Sequence, residues 1–288
     1  MIVGSGPAGL SAALTCIELG FSYVVLEKER EFSWTIRNYY HKGKEVMAEP
    51  NDVNLEATLP HWDSSREELL AAWSELVQQH RVDIRYQQSV IDVKKASEVF
   101  TVHIGDPKGQ PAGQITCGRV VIAIGLRGAP NKLRLPNEDL KFRINGNEES
   151  KVLYSLTNPA DYRGRRIVVV GGGNVAVEAA VDLVSTRSGA EISPRSPKEM
   201  NDVTLLVRDF LAPTVKFGNK FQLYQCADDG ILNLRFGLAI KEMRENELVL
   251  QDVQTGRDLE TIPNDYVFAL IGGERPDRFL QSIGITIT

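Results

Sequence analysis

Two glycine-rich turns, each set between a β-branched run and an alanine-rich segment, limit what this chain can fold into. The first, Gly4-Ser5-Gly6-Pro7-Ala8-Gly9, follows Ile2-Val3 and precedes Leu10 to Gly20, whose Ala, Leu and Ile content suits a helix that Gly20 stops. Tyr23-Val24-Val25-Leu26-Glu27 then reads as a buried parallel strand, a short aliphatic run ending in a charge. The second turn, Gly171-Gly172-Gly173-Asn174-Val175-Ala176, follows the strand-like Arg166 to Val170 and leads into a helical stretch from Val177 to Ser185. Val203 to Val207 supplies the next strand. Each half of the chain therefore contains one strand–turn–helix–strand unit, which is a βαβ crossover.

In such a unit the first glycine turns the chain out of the strand, and the second lets backbone approach a pyrophosphate. The third lets helix pack on strand. The helix then presents free N–H groups and a partial positive charge to the phosphate. Gly4, Gly6 and Gly9 fill these places in the first unit; Gly171, Gly173 and Ala176 do so in the second, with alanine an accepted third residue. Glu27 ends the following strand at about the twenty-residue spacing of a carboxylate that accepts from both ribose hydroxyls. The corresponding strand of the second unit ends in Val207-Arg208, offering a cation to a 2′-phosphate, so NADP is favoured and NAD stays open because Asp209 follows. The expected fold class is α/β: two Rossmann-like dinucleotide-binding domains, each three-layered, with the second inserted into the first.

Between the turns, Ser65 with Glu68 three residues on forms a capping box, and Leu69, Leu70, Trp73, Leu76 and Val77 fall on one helical face. Residues Phe32 to Pro60 lack a period and read as an ordered loop, whose Trp34 to Lys44 stretch either covers a flat ligand ring or packs its aromatics on itself. Strands are expected at Asp83–Tyr86, Val90–Val93, Val99–Ile104 and Val120–Gly125, with a turn from Gly105 to Gly113. Pro130, Pro136 and the polar run Asn145–Ser150 mark a boundary. Arg187 to Asn201 reads as an insertion, longer than the usual link of roughly 2–6 residues. Glu247–Asp252, Asp258–Ile262 and Tyr266–Ile271 are the last strand candidates. The expected domains are 1–128 plus 272–288, and 129–271.

At 288 residues the chain is long enough for two domains of about 100–200 residues each. Its 33 basic and 38 acidic side chains give a net charge of −5, which disfavours nucleic acid as a partner. No apolar run approaches the roughly 18 residues of a membrane span, and no leader pattern precedes the first turn, so the cytoplasm is the default expectation. Cys16, Cys117 and Cys226 are widely spaced and never form Cys-x-x-Cys, which signals neither a disulfide framework nor zinc. Cys16, among Ala12, Ala13 and Ile17, reads as a buried core thiol, Cys117 simply precedes a strand, and Cys226 is the one in polar company. Four scattered histidines give no metal-ligand spacing, and no Gly-x-Ser-x-Gly occurs.

Gly4 to Gly9, Glu27, Ala123-Ile124-Gly125 with Pro130 and Pro136 after it, Gly171 to Glu178, and Ala269 to Pro276 together resemble the thioredoxin-reductase-like pyridine nucleotide-disulfide oxidoreductases. Thr35 to Pro50 and Asn264 to Gly273 look most like the bacillithiol disulfide reductase-like subgroup and relatives fused to ferredoxin-type modules. The resemblance implies an FAD-dependent enzyme that passes hydride from NADPH to a disulfide, a ferredoxin-type protein or another small acceptor. It implies that Gly4, Gly6, Pro7, Ala8 and Gly9 hold the FAD pyrophosphate, Glu27 the ribose, and Val90 the adenine through its backbone. Lys28, Ala123, Gly125 and Gly272 complete that cofactor's contacts, while Gly171, Gly173, Asn174, Val175 and Ala176 hold the NADPH pyrophosphate beside Arg208. A homodimer is compatible with it.

The sequence departs from the pattern at three places. It lacks the Cys-x-x-Cys of thioredoxin reductases, it has Ala8 where the bacillithiol-type enzymes carry cysteine, and it has no closing Gly-Asp segment before Thr288. Either the sequence is part of a longer protein or its flavin pocket is arranged differently. The competing expectations are a nucleotide-binding sensor without turnover and a flavin monooxygenase. The latter lacks its Phe-x-Gly-x-x-x-His segment between the turns.

Overall fold

The structure, a computed structural model, describes residues 1–46, 58–126, 128–139, 141–144, 146–188 and 191–287. It divides into two compact units, Met1–Gly128 with Arg275–Thr288, and Ala129–Glu274. Gly272 lies in the second.

The first unit runs β1 (Ile2–Val3), α1 (Pro7–Glu18), β2 (Val25–Leu26), α2 (Trp34–Tyr39), β3 (Glu45–Val46), β4 (Ser64–Ser65), α3 (Arg66–Gln79) and β5 (Ile84–Arg85). It continues through β6 (Ser89–Ala96), β7 (Val99–Gly105), β8 (Pro111–Cys117) and β9 (Val121–Ile122). The order β5-β2-β1-β9 makes a parallel sheet, and β6-β7-β8 an antiparallel one. Neighbouring strand residues face opposite sides. Val25 joins Ile2 and Ala13 towards α1, whereas Leu26 joins Val102 and Ile104 of β7. Helices, parallel sheet and antiparallel sheet thus form three layers.

Helix α1 begins at Pro7, earlier than the expected Leu10, because proline supplies a helical φ at the first position and gives up only an N–H that has no intrahelical partner. Gly20, with φ +67°, stops it. The capping box stands at the start of α3: the Ser65 side chain accepts from the Glu68 N–H, and Glu68 reaches back to the Ser65 N–H. The aperiodic stretch after Phe32 is not wholly loop. It holds α2 and β3, which pairs with β4 beyond its end, and cations lie over its rings: Arg37 over Phe32, Lys44 over Tyr40 and, from just before it, Arg30 over Trp34. Residues 47–57 of that stretch lie outside the described residues.

The second unit contains β10 (Lys141–Ile144), β11 (Asn147–Ser150), β12 (Val152–Leu153), β13 (Arg166–Val170), α4 (Asn174–Val184), β14 (Ser185–Ser188), β15 (Glu191–Pro194) and β16 (Asp202–Val207). Helix α5 (Phe217–Asp228) and strands β17 (Leu232–Phe236), β18 (Leu238–Met243), β19 (Glu247–Asp252), β20 (Asp258–Pro263) and β21 (Tyr266–Ala269) follow. The parallel sheet has the order β12-β21-β13-β16-β17. Ile167 and Val169 of β13 share a core with α4, while Val168 points to the other side, where it joins Ile240, Leu248 and Leu250 of the β18-β19-β20 meander. The last helix, α6 (Asp277–Ser282), belongs to the first unit.

Two polar stretches read as breaks are hairpins. Lys141–Ile144 pairs with Asn147–Ser150, and the expected insertion holds the β14–β15 pair. Cys226, polar by its sequence neighbours, is fully buried on the inner face of α5. No helix among the described residues is long and apolar enough to cross a membrane.

Candidate nucleotide sites

At the first turn Gly4 has φ +98°, and a Cβ built on it would lie 2.5 Å from the Ala123 carbonyl oxygen. A Cβ on Gly9 would collide with the Gly4 carbonyl oxygen. These two glycines are therefore demanded by packing between β1, α1 and the end of β9. Gly6 is different. It has φ −70° and ψ −176°, open to any L-residue, and a Cβ there would meet nothing within 4 Å. It is the N-cap of α1, which has neither a side-chain cap nor an acid in its first turn. By contrast α3 has both. The α1 N-terminus, with Pro7 and Ala8 as its first residues, is fronted by a space that a methyl group would enter.

Glu27 stands where expected, past the end of β2, but it is already engaged. Its Oε2 accepts from the Ser5 N–H (2.8 Å) and the Ser5 hydroxyl (2.6 Å), and its Oε1 accepts from the Glu29 N–H (2.9 Å). With 7% of the residue exposed and about four acceptor positions on a carboxylate, one position on Oε1 is left for a ligand. Ser5 is thus a partner of the candidate ribose carboxylate that sequence spacing does not reveal; only tertiary contact shows it. Ser33 is equally hidden in the sequence. Its N–H donates to the Ser5 carbonyl, its φ is +51°, and its buried hydroxyl has no partner among the described residues. Burial raises the Tyr86 phenol pKa; Arg37 opposes the shift and Glu27 adds to it.

Ala123 packs on the turn, as its contacts with Gly4 and Gly9 require, and Gly125 beyond it takes φ +71°. Val90 lies on β6 against the Leu26 cluster, where a register shift between Val90 and Asp92 takes Ile91 out of the ladder. Such a bulge frees backbone groups at that point. Lys28 is exposed and 3.7 Å from Glu29. Gly272, with φ +85°, accepts from the Asn131 N–H through its carbonyl.

The second turn repeats the logic. Gly171 has φ +148°, with a built Cβ 2.5 Å from the Leu270 carbonyl oxygen, whereas a Cβ on Gly173 would meet nothing within 4 Å. Gly173 is the N-cap of α4, again without a side-chain cap or a first-turn acid. Ala176 is fully buried and Val175 is partly exposed. Asn174 is used internally: its Oδ1 accepts from the Lys216 N–H and from Asn219 Nδ2, and its Nδ2 donates to the Thr214 carbonyl. It ties the segment before α5 to the start of α4, a positioning role rather than a free amide. Arg208 is exposed just past the end of β16.

A family model described as pyridine nucleotide-disulphide oxidoreductase matches residues 1–288. The chain belongs to that family. It is 28% identical over 291 residues to bacilliredoxin reductase Bdr of Bacillus subtilis (strain 168), covering 100% of this chain and 80% of that one. It is 27% identical over 290 residues to a ferredoxin–NADP reductase of Ignicoccus hospitalis, covering 100% and 81%. Among solved structures, bacillithiol disulfide reductase Bdr of Bacillus cereus superposes with a TM-score of 0.77 at 28% identity, covering 100% of this chain and 81% of that one. Membership makes this chain an NAD(P)H-dependent flavoprotein oxidoreductase with FAD and NADP as the cofactors of its class. The residues present fit such groups: two uncapped helix starts, two mid-turn glycines facing open space, and an orphaned Ser33 hydroxyl beside the first turn.

Proposed function

We propose that the first unit holds FAD, that the second holds NADPH, and that the chain delivers electrons to a disulfide or a ferredoxin-type acceptor. The observation that carries this reading is the pair of glycines, Gly6 and Gly173, which the fold itself does not require and which front uncapped helices. When bound, NADPH supplies hydride and FAD passes the electron pair onward. The chain's residues bind and orient. Backbone N–H groups at Gly6, Ala8 and Gly9, with Pro7 setting the helix start among them, face one diphosphate, and Glu27, Lys28, Val90, Ala123 and Gly125 are further contacts. Those at Gly173, Asn174, Val175 and Ala176 face the other, and Arg208 meets the 2′-phosphate. The relatives named as a bacilliredoxin reductase and a ferredoxin–NADP reductase motivate the two acceptor classes. The sequence has no Cys-x-x-Cys, so the proposal assigns the chain no dithiol relay.

The test is an absorption spectrum of the purified protein, followed by NADPH oxidation with ferricyanide, bacillithiol disulfide or oxidised ferredoxin as acceptor. A flavin spectrum and turnover with one of the two biological acceptors are expected. Protein that takes up no flavin on reconstitution would overturn the proposal.

A further inference from the structure

We propose that the ring of Phe210 is the surface on which the adenine of the second unit's nucleotide stacks, an inference that rests on the reading of that unit as the NADP site. Strands β13 and β16 lie side by side in parallel, with Val170 opposite Leu206, so the glycine turn and the Arg208 segment leave the same edge of the sheet. Ligands of open α/β sheets bind outside that edge. The segment after Arg208 is fixed there. The Phe210 carbonyl oxygen lies 3.0 Å from a Cβ built on Gly172, and the Ala212 N–H donates to the Gly172 carbonyl at 2.8 Å. Farther along, Asn174 binds the Thr214 carbonyl and the Lys216 N–H.

On this braced segment the Phe210 side chain is 87% exposed, the highest value among the exposed large apolar residues described. An aromatic face in water, carried on a braced backbone two residues beyond a cation suited to a 2′-phosphate, matches the two ends of a 2′-phosphoadenosine: the base on the ring, the phosphate on Arg208. Phe217 is almost as exposed, at 84%, yet it lines a groove with Ile192 and Phe221 rather than the glycine turn. It serves as the matched control.

The experiment titrates purified wild-type protein, Phe210→Ala and Phe217→Ala calorimetrically with 2′,5′-ADP and with inorganic pyrophosphate. Loss of a base–aromatic stack predicts binding of 2′,5′-ADP about tenfold weaker in Phe210→Ala. Pyrophosphate binding is expected to stay at the wild-type level, and Phe217→Ala to match wild type with both probes. Phe210→Trp is expected to keep the affinity and to show quenched tryptophan fluorescence on adding 2′,5′-ADP. Wild-type affinity in Phe210→Ala, or an equal loss in Phe217→Ala, overturns the inference while leaving the nucleotide site standing. Wild-type protein that binds neither probe removes the site itself and the inference with it.

Discussion

Replacing Gly6 by alanine separates the two jobs that a glycine turn performs. The φ of −70° at Gly6 suits alanine, and its Cβ would meet no atom within 4 Å. The unfolded chain loses conformational freedom, worth about 0.4–1 kcal/mol in favour of folding, and a poorer N-cap offsets a similar amount, so stability should stay within about 1 kcal/mol. Binding has no such balance. On the proposed reading, a phosphate oxygen held by backbone N–H groups at about 2.9 Å would need the space the methyl enters, and a loss of at least about tenfold in FAD affinity is expected, roughly 1.4 kcal/mol. Gly9→Ala is the contrasting case. Its Cβ collides with the Gly4 carbonyl oxygen, a backbone atom that cannot swing aside. Relief requires α1 to move away from β1, at a cost of about 3 kcal/mol or more. Urea unfolding with and without FAD, together with the flavin content of purified protein, measures both effects. Gly6→Ala with wild-type FAD affinity would refute the assignment of the first turn; Gly9→Ala with wild-type stability would refute the packing argument.

Four further outcomes are expected. Glu27→Ala deprives the Ser5 N–H, the Ser5 hydroxyl and the Glu29 N–H of their acceptor, so unit stability should fall by about 1–3 kcal/mol together with flavin content; a flavin loss at unchanged stability would contradict this account. Arg208→Glu should move the ratio of kcat/KM for NADPH over NADH towards NADH, and an unmoved ratio removes Arg208 from the site. Asn174→Ala frees the segment it ties at Thr214, Lys216 and Asn219, so limited proteolysis should cut there sooner and NADPH should bind more weakly. Lys151 is fully buried, donates to the Arg244, Glu245 and Asn264 carbonyls, and has its pKa lowered by burial from 10.5 to about 8. Between those two values the unfolded chain holds a proton that the folded chain has lost, so stability should rise with pH there by up to about 3 kcal/mol. Lys151→Met should lack that rise, and parallel urea midpoints for the two proteins across the window would sink the prediction.

How much of this was readable beforehand depended on whether the signal was local. The Ser65–Glu68 box involves residues one helical turn apart, and the glycine turns are short patterns between aliphatic runs, so both were legible. Helix α5 was not. Phe217, Phe221 and Tyr224 face water while Leu223 and Cys226 are buried, which erases the apolar period that marks a helix. Strand β10 alternates over only four residues and β11 has no apolar residue, β14 and β15 share a single isoleucine, and the first three residues of β8, exposed, fall in the expected Gly105–Gly113 turn. The partners of Glu27 and Asn174 were beyond reach for another reason: Ser5 and Lys216 meet them only once the chain has folded.

The two turns share a plan, yet their third residues are not interchangeable. At Gly9 the Gly4 carbonyl oxygen occupies the place where a Cβ would go. At Ala176 the Cβ is accommodated, fully buried, and it in turn lies 2.9 Å from where a Cβ on Gly171 would be. Alanine at the third place of the second turn therefore adds to the demand for glycine at its first place, whereas in the first turn the same demand comes from the Ala123 carbonyl and the φ of +98° at Gly4. In both turns these constraints fall on the residues that join helix to strand. They spare Gly6 and Gly173, the two positions where the backbone stays bare for reasons the fold does not supply.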